Sequence, residues 1–164
     1  WKQVDVLAGH TDWIKGLDYS PDGIHMVTGS YDTTAIIWDV AKRTPVLTLD
    51  EHSQGINDVT YSPDGTLVAT ASVDGTAKLW DANTGELLVT YQTPTDQILS
   101  VAFSNDGKYL ATGSETGVVR IYYVYPDDIL EIAKSRITRT FTEEECLKDL
   151  HEEACPANLP QPQQ

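Results

Sequence analysis

"YSPDGTLVATASVDGTAKLWD", residues 61–81, has a looser copy 42 residues upstream and another 42 residues downstream. The turn tripeptides Pro21-Asp22-Gly23, Pro63-Asp64-Gly65 and Asn105-Asp106-Gly107 keep this step, and so do the aromatics Trp38, Trp80 and Tyr122. A chain that repeats one sentence three times builds one supersecondary unit three times, because a unit of this length cannot bury its own apolar face alone.

A period of about 40 to 45 residues with a turn signal every ten or so is the pattern of propeller blades, each a four-stranded antiparallel sheet. Asp-Gly supplies a tight first turn, and "YDTT", "VDGT" or "ETG" the second. The pattern predicts strands at 14–19, 26–30, 35–39 and 45–49, with the same series 42 and 84 residues later. In the opening strand the large residues fall at Ile14, Leu17 and Tyr19, then Ile56, Val59 and Tyr61, then Ile98, Val101 and Phe103. This three-then-two spacing breaks strict alternation. It predicts a β-bulge that turns Lys15, Asn57 and Leu99 outward at the rim. The second strand is built from small residues, "VTGS", "ATAS" and "ATGS", which allow two sheets to approach closely.

These residues resemble the WD-repeat family of β-propellers, in which a Gly-His lies upstream and a Trp-Asp closes the third strand. The corresponding pairs are Gly9-His10 with Trp38-Asp39, and Glu51-His52 with Trp80-Asp81. The resemblance covers residues 1–123, in units of about 1–49, 50–91 and 92–123. It implies two hydrogen-bonded clamps, one of His10, Ser30, Asp32 and Trp38 and one of His52, Ser72, Asp74 and Trp80, with Thr28 and Thr70 as alternative hydroxyl partners. The third unit departs from the pattern. Pro94 stands for the histidine, Thr116 for the turn aspartate and Tyr122-Tyr123 for Trp-Asp, so its internal network is not expected to match the other two.

A serine, a histidine and an aspartate within mutual reach are also the ingredients of a hydrolytic triad. Two copies, each tied to a tryptophan, favour a structural clamp instead, and no enzyme activity and no cofactor are expected. No glycine-rich loop opens a helix before Lys-Ser or Lys-Thr, as a phosphate cradle requires. Cys146, His151 and Cys155 offer three ligands where a structural zinc takes four. The net charge of −14 argues against nucleic acid, whose binding draws on clustered lysine and arginine. No apolar run approaches the length of a membrane span, and a cytoplasmic location is the default expectation.

After Tyr123 the repeat stops. Residues 124–155 read as two short helices, the second with the capping-box spacing of Thr142 and Glu145, and 156–164 as a solvated end. This tail resembles segments that follow the last blade in some large bacterial signalling proteins, where a propeller is joined to a nucleotide-switch, kinase or transcription-regulator module. Three blades do not close a ring of the usual four to eight. Val4 to Leu7 reads as the fourth strand of a further blade, which favours part of a longer propeller over two chains forming a six-bladed ring. The function expected is a non-catalytic scaffold that binds a protein or peptide on the rim and top face of the propeller, with the regulatory or sensory propeller part of a multidomain bacterial signalling enzyme as the alternative. The candidate contact positions are those that vary among units of constant framework: Trp13, Lys15 and Tyr31 in the first, Gly55, Asn57 and Val73 in the second, and Gln97, Leu99 and Glu115 in the third.

Overall fold

A computed structural model of the chain describes residues 5–93 and 96–125. The chain divides into two compact units, Trp1–Val124 and Tyr125–Gln164. The expected helices at 124–155, both cysteines and Pro94 lie outside the described residues, apart from Val124 and Tyr125, which are not helical.

The described part of the first unit is all strand and turn. One sheet holds β1 (Ile14–Tyr19), β2 (His25–Ser30), β3 (Ala35–Asp39) and β4 (Thr44–Leu49) in sequential order. A second holds β5 (Ile56–Tyr61), β6 (Leu67–Ser72), β7 (Thr76–Asp81) and β8 (Leu87–Gln92), and a third the three strands β9 (Ile98–Phe103), β10 (Tyr109–Ser114) and β11 (Val119–Tyr123). All neighbours are antiparallel. The first strand of each sheet carries the predicted bulge. Pairing skips Lys15 between Ile14 and Gly16, Asn57 between Ile56 and Asp58, and Leu99 between Ile98 and Ser100.

One expectation fails. Asp5, Val6 and Leu7 are irregular and not a strand. A strand needs a neighbour to take its backbone hydrogen bonds, and none stands beside them among the described residues.

The sheets stack through two apolar layers. Val27, Ala35, Ile37 and Leu49 of the first sheet meet Ile56, Val59 and Tyr61 of the second. Leu67, Ala69, Ala71, Ala77 and Leu79 of the second meet Ile98 and Val101 of the third. Small residues in the second strand set the spacing. A Cβ at Gly29 would lie 2.6 Å from methyl carbons of Ile56 and Val59, closer than carbon atoms pack. Aspartates of the first strands tie the layers together by accepting backbone N–H bonds from the next sheet: Asp18 Oδ2 from Tyr61 N at 2.9 Å, and Asp58 Oδ2 from Val101 N at 3.1 Å.

Candidate interaction site

At the end of the sheets formed by the β2–β3 and β6–β7 turns, each of the first two units closes on one polar chain. Trp80 Nε1 donates to Thr70 Oγ1 at 3.0 Å, Thr70 Oγ1 lies 2.7 Å from His52 Nε2, and His52 Nδ1 lies 2.8 Å from Asp74 Oδ2. The first unit repeats this with Trp38, Thr28, His10 and Asp32 at 2.8, 2.8 and 2.9 Å. The hydroxyl at the centre is therefore the threonine. Ser30 and Ser72 serve one step away, accepting from the N–H of Asp32 and Asp74 and donating to the carbonyls of Asp12 and Gln54.

Proton positions follow in the second unit. An indole N–H only donates, so Thr70 Oγ1 accepts from Trp80. Burial pushes the His52 pKa below its usual 6.5 against the pull of Asp74, so the ring is neutral at neutral pH. Its Nδ1–H donates to Asp74, and Nε2 accepts the threonine proton. Burial alone would raise the Asp32 and Asp74 carboxyls, but hydrogen bonds outweigh it. Asp32 is held at about 2 by Thr34 Oγ1, the N–H groups of Thr11 and Thr34, and His10. Asp74 is lowered by Thr76 and His52. Every side-chain polar atom of this Trp–Thr–His–Asp series has a partner, which is the condition for burying such groups.

The hydroxyl–imidazole–carboxylate order is that of a hydrolytic triad, and burial decides against that chemistry. Thr70 is wholly buried and Thr28 nearly so, and each oxygen is already held by an indole N–H. A nucleophile must reach a substrate carbonyl, and neither hydroxyl does. Among the described residues no three of His, Cys, Asp or Glu gather as metal ligands, and no helix is long and apolar enough to cross a membrane.

The third unit locks differently. Asp96 accepts from the Thr116 hydroxyl and sits beside Ser114, whose hydroxyl lies 3.3 Å from that of Thr116. The hydroxyls of Ser114 and Thr116 hold the Asp96 carboxyl below its usual range. The carboxylate has moved from the turn to the preceding loop, to the position that Asp12 and Gln54 hold in the first two units.

The nine candidate contact positions include three pairs, each joined by one backbone bond: Tyr31 N to Trp13 O, Val73 N to Gly55 O and Glu115 N to Gln97 O. Their side chains do not form one surface. Trp13, 72% exposed, packs on Tyr31 with ring centres 6.3 Å apart, and the Lys15 ammonium lies 5.4 Å from the Tyr31 ring centre. Gly55 is buried and corrects the expectation of an outward position. A Cβ there would lie 2.9 Å from Cγ of Tyr31, so the glycine is the seat on which the neighbouring unit's ring rests. The half-buried Asn57 gives its amide to the Ile98 carbonyl at 2.9 Å, bridging two sheets. Val73 and Gln97 are half-buried, and Leu99 and Glu115 are exposed without joining the aromatic cluster.

A family model, WD domain, G-beta repeat, matches residues 1–39, 43–81 and 85–123, well over half the chain. The chain belongs to the WD40 repeat family. Among curated WD40-type relatives, Protein Notchless of Drosophila melanogaster is 43% identical over 42 residues, 26% of this chain and 9% of that protein. Protein pleiotropic regulatory locus 1 of Arabidopsis thaliana is 41% identical over 49 residues, 30% of this chain and 10% of that protein. A chromatin assembly factor 1 subunit from Gallus gallus is 39% identical over 51 residues, 31% of this chain and 9% of that protein. The matched part of the WD40 chain thus spans about a tenth of the length of these relatives.

Proposed function

We propose that the chain is a non-catalytic scaffold that binds a protein or peptide segment at the end of the sheets where Trp13, Lys15 and Tyr31 meet. The observation that carries this is the aromatic pair. Trp13 stands in solvent on a ring that is itself fixed by a buried glycine of the next unit, so contact area is presented with little entropy left to lose. Exposed, rigid aromatics beside a cation are the side chains that dominate binding energy at interfaces. Membership of the WD40 family supports the reading, and one relative is named as part of a chromatin assembly factor. The net charge of −14 speaks for protein over nucleic acid as the partner.

The test uses the contrast among tryptophans. Trp38 and Trp80 are buried, whereas Trp13 is exposed. A peptide selected by display on the immobilised chain, in a Trp1→Phe background, should shift the emission of Trp13 to the blue and protect it from iodide. Trp13→Phe should abolish the signal. Peptides that bind without touching Trp13 emission would refute the placement.

A further inference from the structure

At the opposite end of the sheets, the β1–β2 turn of the first unit and the β5–β6 and β7–β8 turns of the second enclose a cleft of about 490 Å³. Asp22, His25, Tyr61, Asp64 and Asn83 line it. Two features mark it out. The carboxylates are half used: Asp22 Oδ1 accepts from the Ser20 hydroxyl and Ile24 N, and Asp64 Oδ1 from the Ser62 hydroxyl and the amide and hydroxyl of Thr66. Neither Oδ2 has a hydrogen bond among the described residues. These bonds keep both carboxyls below their usual range and hence ionised.

The second feature is Tyr61. It is 94% buried, since its exposure is 6%, yet its hydroxyl has no hydrogen-bond partner. A buried polar atom without a partner is rare and costs stability. Burial, with Asp22 and Asp18 nearby, pushes its pKa up to about 12, so it stays a neutral phenol able both to donate and to accept.

The same place between the second and third units keeps a half-used pair of turn carboxylates, Asp64 and Asp106, but not the buried phenol or the imidazole. Leu67 stands for His25, Phe103 for Tyr61 and Lys108 for Thr66. The carboxylates recur as turn residues, whereas the orphaned Tyr61 hydroxyl and His25 occur only here and are not an architectural need common to all units.

We infer that the cleft between the first and second units receives a guanidinium group, an arginine side chain of a protein partner. Its five N–H donors in a rigid fork span two carboxylate oxygens on facing turns with donors left for the Tyr61 hydroxyl, where a lysine offers three from one point. The site lies at the other end of the sheets from Trp13 and does not rest on that cluster.

The test titrates acetylated tri-arginine amide into the full chain at low salt, with tri-citrulline amide as the neutral isostere. Asp22→Asn and Asp64→Asn keep the Oδ1 acceptor of each turn and should each weaken binding about fivefold or more, the scale of a charge-assisted hydrogen bond. Asp106→Asn removes the same charge from the third unit's turn and should leave the affinity within about twofold. Tyr61→Phe, which installs the residue found at position 103, should weaken binding about threefold while raising the melting temperature by a few degrees, because it removes the orphaned hydroxyl. Equal loss in Asp106→Asn and Asp22→Asn would reduce the effect to attraction by an acidic protein and overturn the proposal. So would tri-citrulline binding as well as tri-arginine, unchanged affinity in Tyr61→Phe, or no binding at all.

Discussion

His10 and Trp13 stand three residues apart in one loop and have opposite duties. The His10 side chain is 2% exposed with both ring nitrogens bonded, and it returns 42 residues later as His52 in the same bonds. Trp13 stands in solvent and returns as Gly55 and then as Gln97. What repeats beyond the apolar core and the turns is what has buried polar atoms to satisfy. What varies is exposed, or, as Gly55 shows, is fitted to a neighbour. Stability and recognition are thereby assigned to different residues of the same turn, and substitutions in one set should leave the property of the other untouched.

Sheet faces offer the same contrast on a larger scale, and the largest effect is expected there. Ile56 and Ile98 are fully buried against the preceding sheet, whereas Ile14, at the same position of the first sheet, is 51% exposed. On the other side Ile37 and Leu79 are buried and Ile121 is 69% exposed. These two uncovered faces are the complementary halves of the layer that joins the sheets internally. In the isolated chain these faces should therefore associate, head to tail. Leu17→Lys and Ile121→Lys should each yield monomers by light scattering. Mixing the two variants should restore association, since each keeps one intact half. A monomeric unmodified chain, or association that survives both substitutions, would break the comparison.

Next in size is the clamp. His52→Ala takes from the buried Thr70 hydroxyl its acceptor and from Asp74 its imidazole donor, and should lower stability by about 1 to 3 kcal/mol in denaturant unfolding. Thr116→Ala, in the exposed turn of the third unit, removes one donor while Ser114 stays beside Asp96, and should cost less, about 1 kcal/mol or below. Equal effects would mean that the repeated set is not what holds the second sheet.

Acid sharpens the same point. Because the folded-state pKa of His52 lies below the unfolded value of about 6.5, the unfolded chain binds the extra proton first. Stability from this group is full above that value and is lost as pH falls toward the folded value. Asp32 and Asp74 contribute in the same direction lower down, from the unfolded 3.8 toward about 2 for Asp32. Asp58 works in reverse. Burial raises its pKa, so its contribution is present at low pH and lost as pH rises through the raised value. Melting midpoints from pH 7 to 5 should therefore fall in the unmodified chain and fall less in His52→Gln. A slope unchanged by that variant would remove His52 as its source.

The smallest effect concerns backbone strain. Thr33 adopts φ 76°, where the other units place Gly75 and Gly117 at 82° and 81°. A β-branched residue is strained in this region. Thr33→Gly should therefore stabilise the first unit by up to about 1 kcal/mol, less the entropy a glycine adds to the unfolded chain. A lower midpoint would show that contacts of the Thr33 side chain outweigh the strain.

Strand positions and the bulge were legible because turn chemistry and a 42-residue step constrain them three times over. The centre of the clamp was not. Thr28 and Ser30, two apart on one strand, share a face, and only the reach of the indole N–H distinguishes them. Asp96 was missed because the side chains of its counterparts Asp12 and Gln54 do not hold the turn in the first two units. Asp18 and Asp58 were missed, and Asn57 was read as a contact position, because their partners lie on another sheet, about one period away in sequence. Gly55 was misread for a related reason: a small residue at a variable position looks like free surface until the ring that occupies its space is in view.

The division between holding and binding is tested most directly by one crossed measurement: melting midpoint and affinity for a display-selected peptide, in Trp13→Ala and in His52→Ala. Trp13→Ala should keep its midpoint and lose about 1 kcal/mol or more of binding free energy. His52→Ala should lose stability and, well below its midpoint, bind as the unmodified chain does. Both properties moving together in either variant would contradict the account.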